Sequence, residues 1–481
     1  MQLRLLKSKK IFTIWLIFLF LSAQGCTSAR PPLPTLPEKD WLAPEKEEQT
    51  TKSKKFAIYS PDKTLGMDDL VWLAVQQSPV ISRGRINLEI SEISKTDAKW
   101  RYLPEMHLSY RISNNLTKYN EGTRYAGDDY GNTTYELTFT GSYNNPVSTY
   151  FSVQAQDELL KTAIITQRKA IAEIIFKIAS SLLQMNMLEE SIAILEKQIA
   201  LGDRKMESAS IRDALTNSAS LAGTANEYNQ SSLELHLREI KMQLTVERTI
   251  LKQLVGLDLK QALKVDAKSV YALLADFDPA RDDWKRCWED TEERYLARQQ
   301  VKLEQANIYL AWASYLPNIN LYINESPGKG QSQAADARSD QFLHVALDFP
   351  ILDWGHRWRD ADKASLRRRQ SRLDEVQRAR DYEQEWEIKG QRLQLAQAKA
   401  ERWKQTSKNI AARSEAMQIA FDRGSASFDM LADQKQRELD AEIAAVRADC
   451  EAAQTKLAWI HFASGLSRHY MGNAGYGKAE K

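Results

Sequence analysis

The stretch Phe421-Asp-Arg-Gly-Ser-Ala-Ser-Phe-Asp-Met-Leu431 decides the fold. It lies between two long runs without proline, residues 351–423 and 425–465. Proline removes a backbone donor and crowds the preceding turn, so both runs are free to be helical throughout. Gly424, with serines on its C-terminal side, is the residue best suited to reverse the chain between them. The second run carries Leu439, Ile443, Val446, Cys450, Ala453, Leu457 and Ile460 at steps of four and three, a continuous apolar seam. The first carries Ala396, Trp403, Ile410 and Met417 at sevens. Two such seams joined by a glycine turn make an antiparallel helical hairpin. Cys450 sits on the seam and reads as a buried thiol rather than a disulfide partner of Cys287.

Working back along the chain, the same plan appears once before. Residues 147–256 contain no proline, and Ile164, Ile171, Ile178, Met185, Ile192 and Ile199 recur every seventh residue. A polar patch, Ser208 to Ser220, holds the reversal, and Leu233, Leu237, Ile240, Leu244, Leu251 and Leu254 return to Gly256. Gly465 stands at the corresponding end of the second hairpin. Arms of this length span at least ~60 Å, the longer nearer ~95 Å, at 1.5 Å per residue.

Each hairpin is preceded by a helix ending in Tyr-Leu-Pro, Tyr102 to Pro104 and Tyr315 to Pro317, with Trp100 and Trp312 nearby. The first of these helices is expected to start near Ile86, after Pro79 interrupts a shorter helical run at Leu65–Ser78. The apolar period then drops to two. Met106, Leu108, Tyr110 and Ile112, then Tyr135, Leu137 and Phe139, alternate with polar residues. Ile319, Leu321 and Ile323 alternate with Asn318, Asn320 and Asn324 in the second copy, Tyr322 breaking the polar side, and Leu343, Val345, Leu347 and Phe349 alternate with His344, Ala346 and Asp348. Four strands with one apolar face each are implied. The chain is therefore a duplication of helix, strand, strand and long hairpin, mainly α with a β part.

The expected organisation has a first repeat at 61–256, with strands at about 106–113 and 134–142 and a hairpin at about 147–256. A second repeat at 301–465 has strands at about 318–324 and 342–349 and a hairpin at about 351–465. Segments 257–300 and 466–481 join and follow them.

The amino terminus reads as export machinery. Arg4, Lys7, Lys9 and Lys10 precede an apolar run, Ile11 to Leu21, and small residues follow, so 1–25 reads as a signal peptide. The run is shorter than the roughly 20 residues of a spanning helix. Leu21-Ser-Ala-Gln-Gly-Cys26 resembles a bacterial lipobox, which implies a lipid on Cys26, and Thr27 favours outer over inner membrane. Residues 26–60 hold five prolines among charges and read as an extended tether.

The charge balance is 66 basic against 64 acidic residues, with a mean hydropathy of −0.51. That balance gives no case for nucleic acid, whose binders carry a basic excess. Six scattered histidines, no HExxH, no CxxC and no nucleophile elbow argue against an enzyme or a bound cofactor. Arg367-Arg-Arg369 reads as a solvated helix face.

Four strands cannot close a membrane barrel, which starts at about eight. Strands pooled between copies would solve this, and here the chain resembles a family. Leu65-Gly-Met-Asp-Asp-Leu-Val-Trp-Leu-Ala-Val-Gln-Gln-Ser-Pro79, the two Leu-Pro helix ends, Phe349-Pro-Ile-Leu-Asp-Trp-Gly355, the Gly424 stretch and Gly465-Leu466 resemble the outer membrane factor family over about residues 64–467. The resemblance implies a homotrimer: a 12-stranded barrel in the outer membrane, continued by a periplasmic α-helical barrel. Segments 61–79, 257–300 and 466–481 would form a belt around its middle. It implies a passive exit channel for drugs, metals or toxic compounds, with a periplasmic adaptor and an inner-membrane RND-type transporter as partners. A type I protein-secretion channel is the alternative within the family. A periplasmic coiled-coil lipoprotein without a pore is the alternative outside it.

The resemblance also assigns residues. Arg423, Gly424, Ser425, Ala426 and Ser427 correspond to the tip that docks the adaptor. Asp429 corresponds to the first carboxylate narrowing the periplasmic aperture. The second such position falls on Ala432, with Asp433 beside it. The first tip has no glycine at its expected place near Leu215.

Overall fold

The computed structural model describes residues 64–103, 105–114, 133–143, 145–216, 221–277, 283–326, 340–348 and 353–472. The signal peptide, Cys26, the tether and the end of the tail lie outside these residues. Two helices open the described chain, α1 (Met67–Gln77) and α2 (Pro79–Trp100). The sequence reading starts the second at Ile86; the structure starts it at Pro79. Proline at the first helical position lacks an N–H that would have had no partner there, and its φ suits the helix.

The strands β1 (Glu105–Asn114), β2 (Thr133–Tyr143), β3 (Asn318–Ser326) and β4 (Asp340–Asp348) form one antiparallel sheet in the order β1-β2-β3-β4. The two repeats join where β2 pairs with β3. The register puts Leu108, Phe139, Ile323 and Leu343 in one row across all four strands. The next row is His107, Thr140, Tyr322 and His344. The residues that alternate in the sequence thus share register rows across the sheet.

The hairpins are α3 (Pro146–Thr216) with α4 (Leu221–Val255), and α8 (His356–Asp422) with α9 (Phe428–Phe462). Their long arms have 71 and 67 residues, hence ~105 and ~100 Å. α3 is the centre of the chain, packed against α2, α4, α9 and α7 (Glu292–Ala313). Ile171, Ile175, Ile178, Leu182 and Met185 are buried on it. One 18-residue window of α3 is apolar enough for a membrane span, yet 67% of it is buried within the chain, as suits a core helix. The heptad signal was therefore a packing signal.

Short segments wrap the middle of α3. Leu65 bridges Val265 in parallel, the Met67 N–H donates to Ser269 Oγ (3.0 Å), and the Tyr470 hydroxyl donates to Asp68 (2.9 Å). These contacts tie α1 to α5 (Ser269–Ala275) and α10 (Gly465–Met471). Leu70, Val270, Leu466 and Met471 share one apolar core with Ile175 and Ile178. A second cluster joins Trp288 of α6 (Trp284–Glu289) to Tyr382, Trp386 and Trp459.

The hairpins do not end alike. Gly256 closes α4 with φ +82, its N–H donating to the Gln253 carbonyl and that of Leu257 to Lys252. At the second end the left-handed residue is Ser464 (φ 54), not Gly465. Gly465 opens α10, and a Cβ there would lie 2.8 Å from Ile460 Cγ2 and 3.0 Å from its carbonyl oxygen. The glycine is required for close approach rather than for the turn.

Candidate functional site

The second hairpin tip is built by capping at both ends. α8 stops at Asp422, and Gly424 takes φ +75. The Gly424 N–H donates to the Phe421 carbonyl (2.8 Å) and the Ser425 N–H to the Ala420 carbonyl (2.9 Å). This paired closure satisfies carbonyls that a helix end leaves open. Ser427 then caps α9, its hydroxyl accepting from the Met430 N–H at 3.3 Å. The rings of Phe421 and Phe428 meet edge to face across the turn, centroids 6.1 Å apart. That pair was readable as two aromatics flanking the glycine.

Arg423, Gly424, Ser425 and Ser427 are exposed, and Ala426 is half-buried. A Cβ on Gly424 would meet nothing within 4 Å, so the glycine serves the backbone and leaves the tip open to close approach. Asp429 lies in the first turn of α9, where a carboxylate suits the helix dipole. Asp433 follows one turn on. Ala432 is buried, so the position that would carry the second carboxylate faces the packed interior. The reversal of the first hairpin falls at 217–220, outside the described residues.

Sequence reasoning missed how the tip is held against the first hairpin. Lys205 of α3 pairs with Asp433 at 2.6 Å, and Gln198 donates to Asp440 at 2.8 Å. Further from the tip, Gln454 donates to Gln184 (3.1 Å) and the Cys450 thiol to the Leu183 carbonyl (3.6 Å). Burial pushes that thiol up to about 11. Cys450 and Cys287 are both buried and share no disulfide. Residues some 230 to 270 apart in sequence meet along this seam, so no local pattern announces them.

A groove of about 910 Å³ opens between the hairpins, lined by Leu195, Leu233, Trp403 and Ile443 with Arg402 and Arg447 at its rim. Nearer the wrapped middle, His461 of α9 meets Glu173 of α3 at 3.1 Å and stacks on Phe176. Desolvation holds the imidazole below its ordinary range, against the pull of Glu173. Arg168, 2% exposed, donates to the Gly472 carbonyl and stands 3.7 Å from Glu292, too far for a hydrogen bond. Among the described residues, no group of three or more His, Cys, Asp and Glu is arranged to hold a metal ion.

Long paired hairpins carrying a small antiparallel sheet define a class: this is the fold of the outer-membrane channel proteins. Three solved structures are similar over nearly their whole length. The outer membrane protein VceC of Vibrio cholerae is 16% identical, with a TM-score of 0.66 over 85% of this chain and 96% of that one. The CmeC outer membrane channel of Campylobacter jejuni is 13% identical, with a TM-score of 0.67 over 93% and 98%. The open state of the MtrE outer membrane channel of Neisseria gonorrhoeae is 16% identical, with a TM-score of 0.61 over 92% and 99%. No protein-family profile and no curated protein matches the sequence. At these identities the likeness establishes the fold and supports the resemblance to the outer membrane factor family.

Proposed function

We infer that the chain is one third of an outer-membrane exit channel that conducts small molecules passively from the periplasm. The carrying observation is the sheet. β1 and β4 each pair on one side only among the described strands. Open strand edges in lipid would leave backbone groups without partners, at several kcal/mol each. Three copies of a four-stranded sheet close a twelve-stranded barrel, within the known range of membrane barrels. Substrate enters at the hairpin tips and leaves through the barrel. Energy comes from an inner-membrane transporter of RND type, coupled through a periplasmic adaptor that docks on Arg423 to Ser427. Asp429 and Asp433 contribute like charge near the aperture, where a ring of carboxylates favours cations and repels itself. Lipid on Cys26 adds an anchor, worth about 0.8 kcal/mol per buried CH₂.

The test is direct. An SDS-resistant trimer with single-channel conductance is expected, whereas a monomer without conductance sinks the reading and leaves a periplasmic spacer. Deleting the gene should raise sensitivity to toxic small molecules while secreted-protein levels hold; the reverse pattern favours type I secretion. Cys26→Ser should abolish palmitate labelling, and unchanged labelling refutes the anchor.

A further inference from the structure

The groove of about 910 Å³ between the hairpins has a position and a lining that helix packing alone does not call for. Neighbouring helices contact in the row α4-α3-α9-α8. All four line the groove, through Leu233, Leu195, Ile443 and Trp403 in that order. A cavity lined by both end helices and both middle ones lies in the hollow of a curved row. Repeating such a row around an axis encloses its hollow side. The wrapping segments lie on the other side: Tyr271 and Leu274 of α5 line a second groove with Ala445 and Asp449 of α9. Ile443 and Ala445, like Arg447 and Asp449, are two residues apart, which at about 3.6 residues per turn sets them on nearly opposite faces of α9. With α5 outside the barrel, the first groove opens to its interior, ~25–40 Å along α9 from the Gly424 turn at 1.5 Å per residue.

The lining suits a small molecule. Leu195, Leu233, Ile443 and Ala448 give an apolar floor, and Trp403 stays 41% exposed beside it. The volume falls within the roughly 300–1,000 Å³ of small-molecule sites. The two carboxylates of the lining are engaged: Asp440 accepts from Gln198 at 2.8 Å, and Glu451 pairs with Lys399 at 3.3 Å. Arg402 and Arg447 are exposed and, among the described residues, pair with no carboxylate. An indole beside an apolar floor, with two free guanidinium groups at the edge, complements a flat apolar body with one negative end. Guanidinium meets the oxygens of such an end with paired N–H donors.

We propose that the groove is a subsite inside the conduit for aromatic organic anions, aryl carboxylates or sulfonates, whose ring lies on Trp403 and whose charged end meets Arg402 and Arg447. One groove per copy places three around the axis of the proposed trimer, as stepping places for cargo between the hairpin tips and the strands. The proposal rests on the exit-channel reading above and deepens it by naming a class of cargo.

The experiment titrates a naphthalenesulfonate into the full chain, purified in detergent, and follows binding by calorimetry. Saturable binding at one per chain is expected, and uncharged naphthalenemethanol should bind roughly tenfold more weakly. Arg402→Gln/Arg447→Gln should weaken the sulfonate by a similar, roughly tenfold factor and leave the alcohol unchanged. Trp403→Leu should weaken both, by roughly threefold. Arg367→Gln/Arg369→Gln, altered at exposed arginines elsewhere on α8, should keep full affinity. Equal affinity in the unaltered chain and the Arg402→Gln/Arg447→Gln variant overturns the site, as does a preference for the alcohol. The same sulfonate is then added to the channel in a planar bilayer, where brief interruptions of the current, shortened in that variant, are expected. Binding without interruptions puts the groove on the outer surface and overturns its place in the conduit. A chain that gives no conductance overturns the channel reading, and the calorimetry then decides the site by itself.

Discussion

Gly256 and Gly424 allow one backbone requirement to be separated from one packing requirement. Both close long helices with positive φ, +82 and +75. Replacing either by alanine forces a Cβ into the left-handed region, at roughly 1–2 kcal/mol. At Gly424 nothing lies within 4 Å of that Cβ, so the backbone term is the whole cost. At Gly256 the Cβ would stand 2.5 Å from the Gln77 carbonyl oxygen and 2.8 Å from its carbonyl carbon. The obstacle is backbone at the end of α1, which cannot swing aside as a side chain would. Forcing that contact adds about 1–3 kcal/mol, by analogy with overpacked cores. Gly256→Ala should therefore cost about 2–5 kcal/mol and Gly424→Ala about 1–2 kcal/mol. Thermal unfolding of the two variants in the same detergent and at the same scan rate measures the difference. Equal shifts in Tm would refute the argument, because they would mean that α1 yields freely at Gln77 and that the wrapped middle is soft.

Three further outcomes follow from the same packing. Cys450, 4% exposed with its thiol raised to about 11, should resist iodoacetamide at about pH 8 until denaturant is added; fast labelling of the folded chain would show that the seam opens. His461 faces Glu173, Glu292 and Lys169, and burial lowers it from 6.5. Its contribution to stability is thus full above pH 6.5 and falls as pH drops below that, a slope that His461→Gln should flatten in Tm measured against pH. Arg168→Met leaves the Glu292 carboxylate buried with the Ser464 hydroxyl donating to it but without its cation, so a loss of about 3 kcal/mol is expected, largely restored by adding Glu292→Gln; no recovery in the double variant would mean that the Gly472 contact matters more than the charge pair.

Much of this was legible because it depends on local period. The strands declared themselves through alternation, and the sheet register lines up the residues that alternated. The turn at Gly424 was legible because few residues other than glycine accept its φ. Other features depend on which surface meets which, and local pattern is silent there. Trp403 shares a heptad position with Ala396, yet Ala396 is buried and Trp403 is exposed along the groove between hairpins. Arg168 looks like any solvated arginine on a helix until α7 and α10 close over it. Gly465 was placed at the hairpin's end by its position alone, whereas the left-handed turn there belongs to Ser464 and Gly465 stands where Ile460 comes close. The Lys205–Asp433 pair joins two hairpins whose adjacency no single repeat encodes.

The unequal burial of the two hairpins carries the synthesis one step further. Neighbouring helices contact in the row α4-α3-α9-α8, so α4 and α8 are its ends. The inner helices are well covered, but α8 buries only Ala361, Ala364, Tyr382, Trp386, Leu393, Ala396 and Ser414 among its 67 residues. It exposes Leu366, Leu373, Ile388 and Leu395, and α4 exposes Leu235, Met242, Val246 and Ile250. Leu366 and Leu373, like Ile388 and Leu395, stand seven apart, the spacing of a coiled-coil seam. Single exposed leucines need no explanation, but repeated ones on the two end helices of a row do. Among the described residues the outer strands β1 and β4 pair on one side only, and they belong to the first and second repeat as α4 and α8 do. In the trimer proposed above, one operation, placing the second repeat of each copy against the first repeat of the next, would cover the helical stripes and pair the strand edges together. The same duplication that leaves both ends uncovered is thus what the proposed ring would use to close.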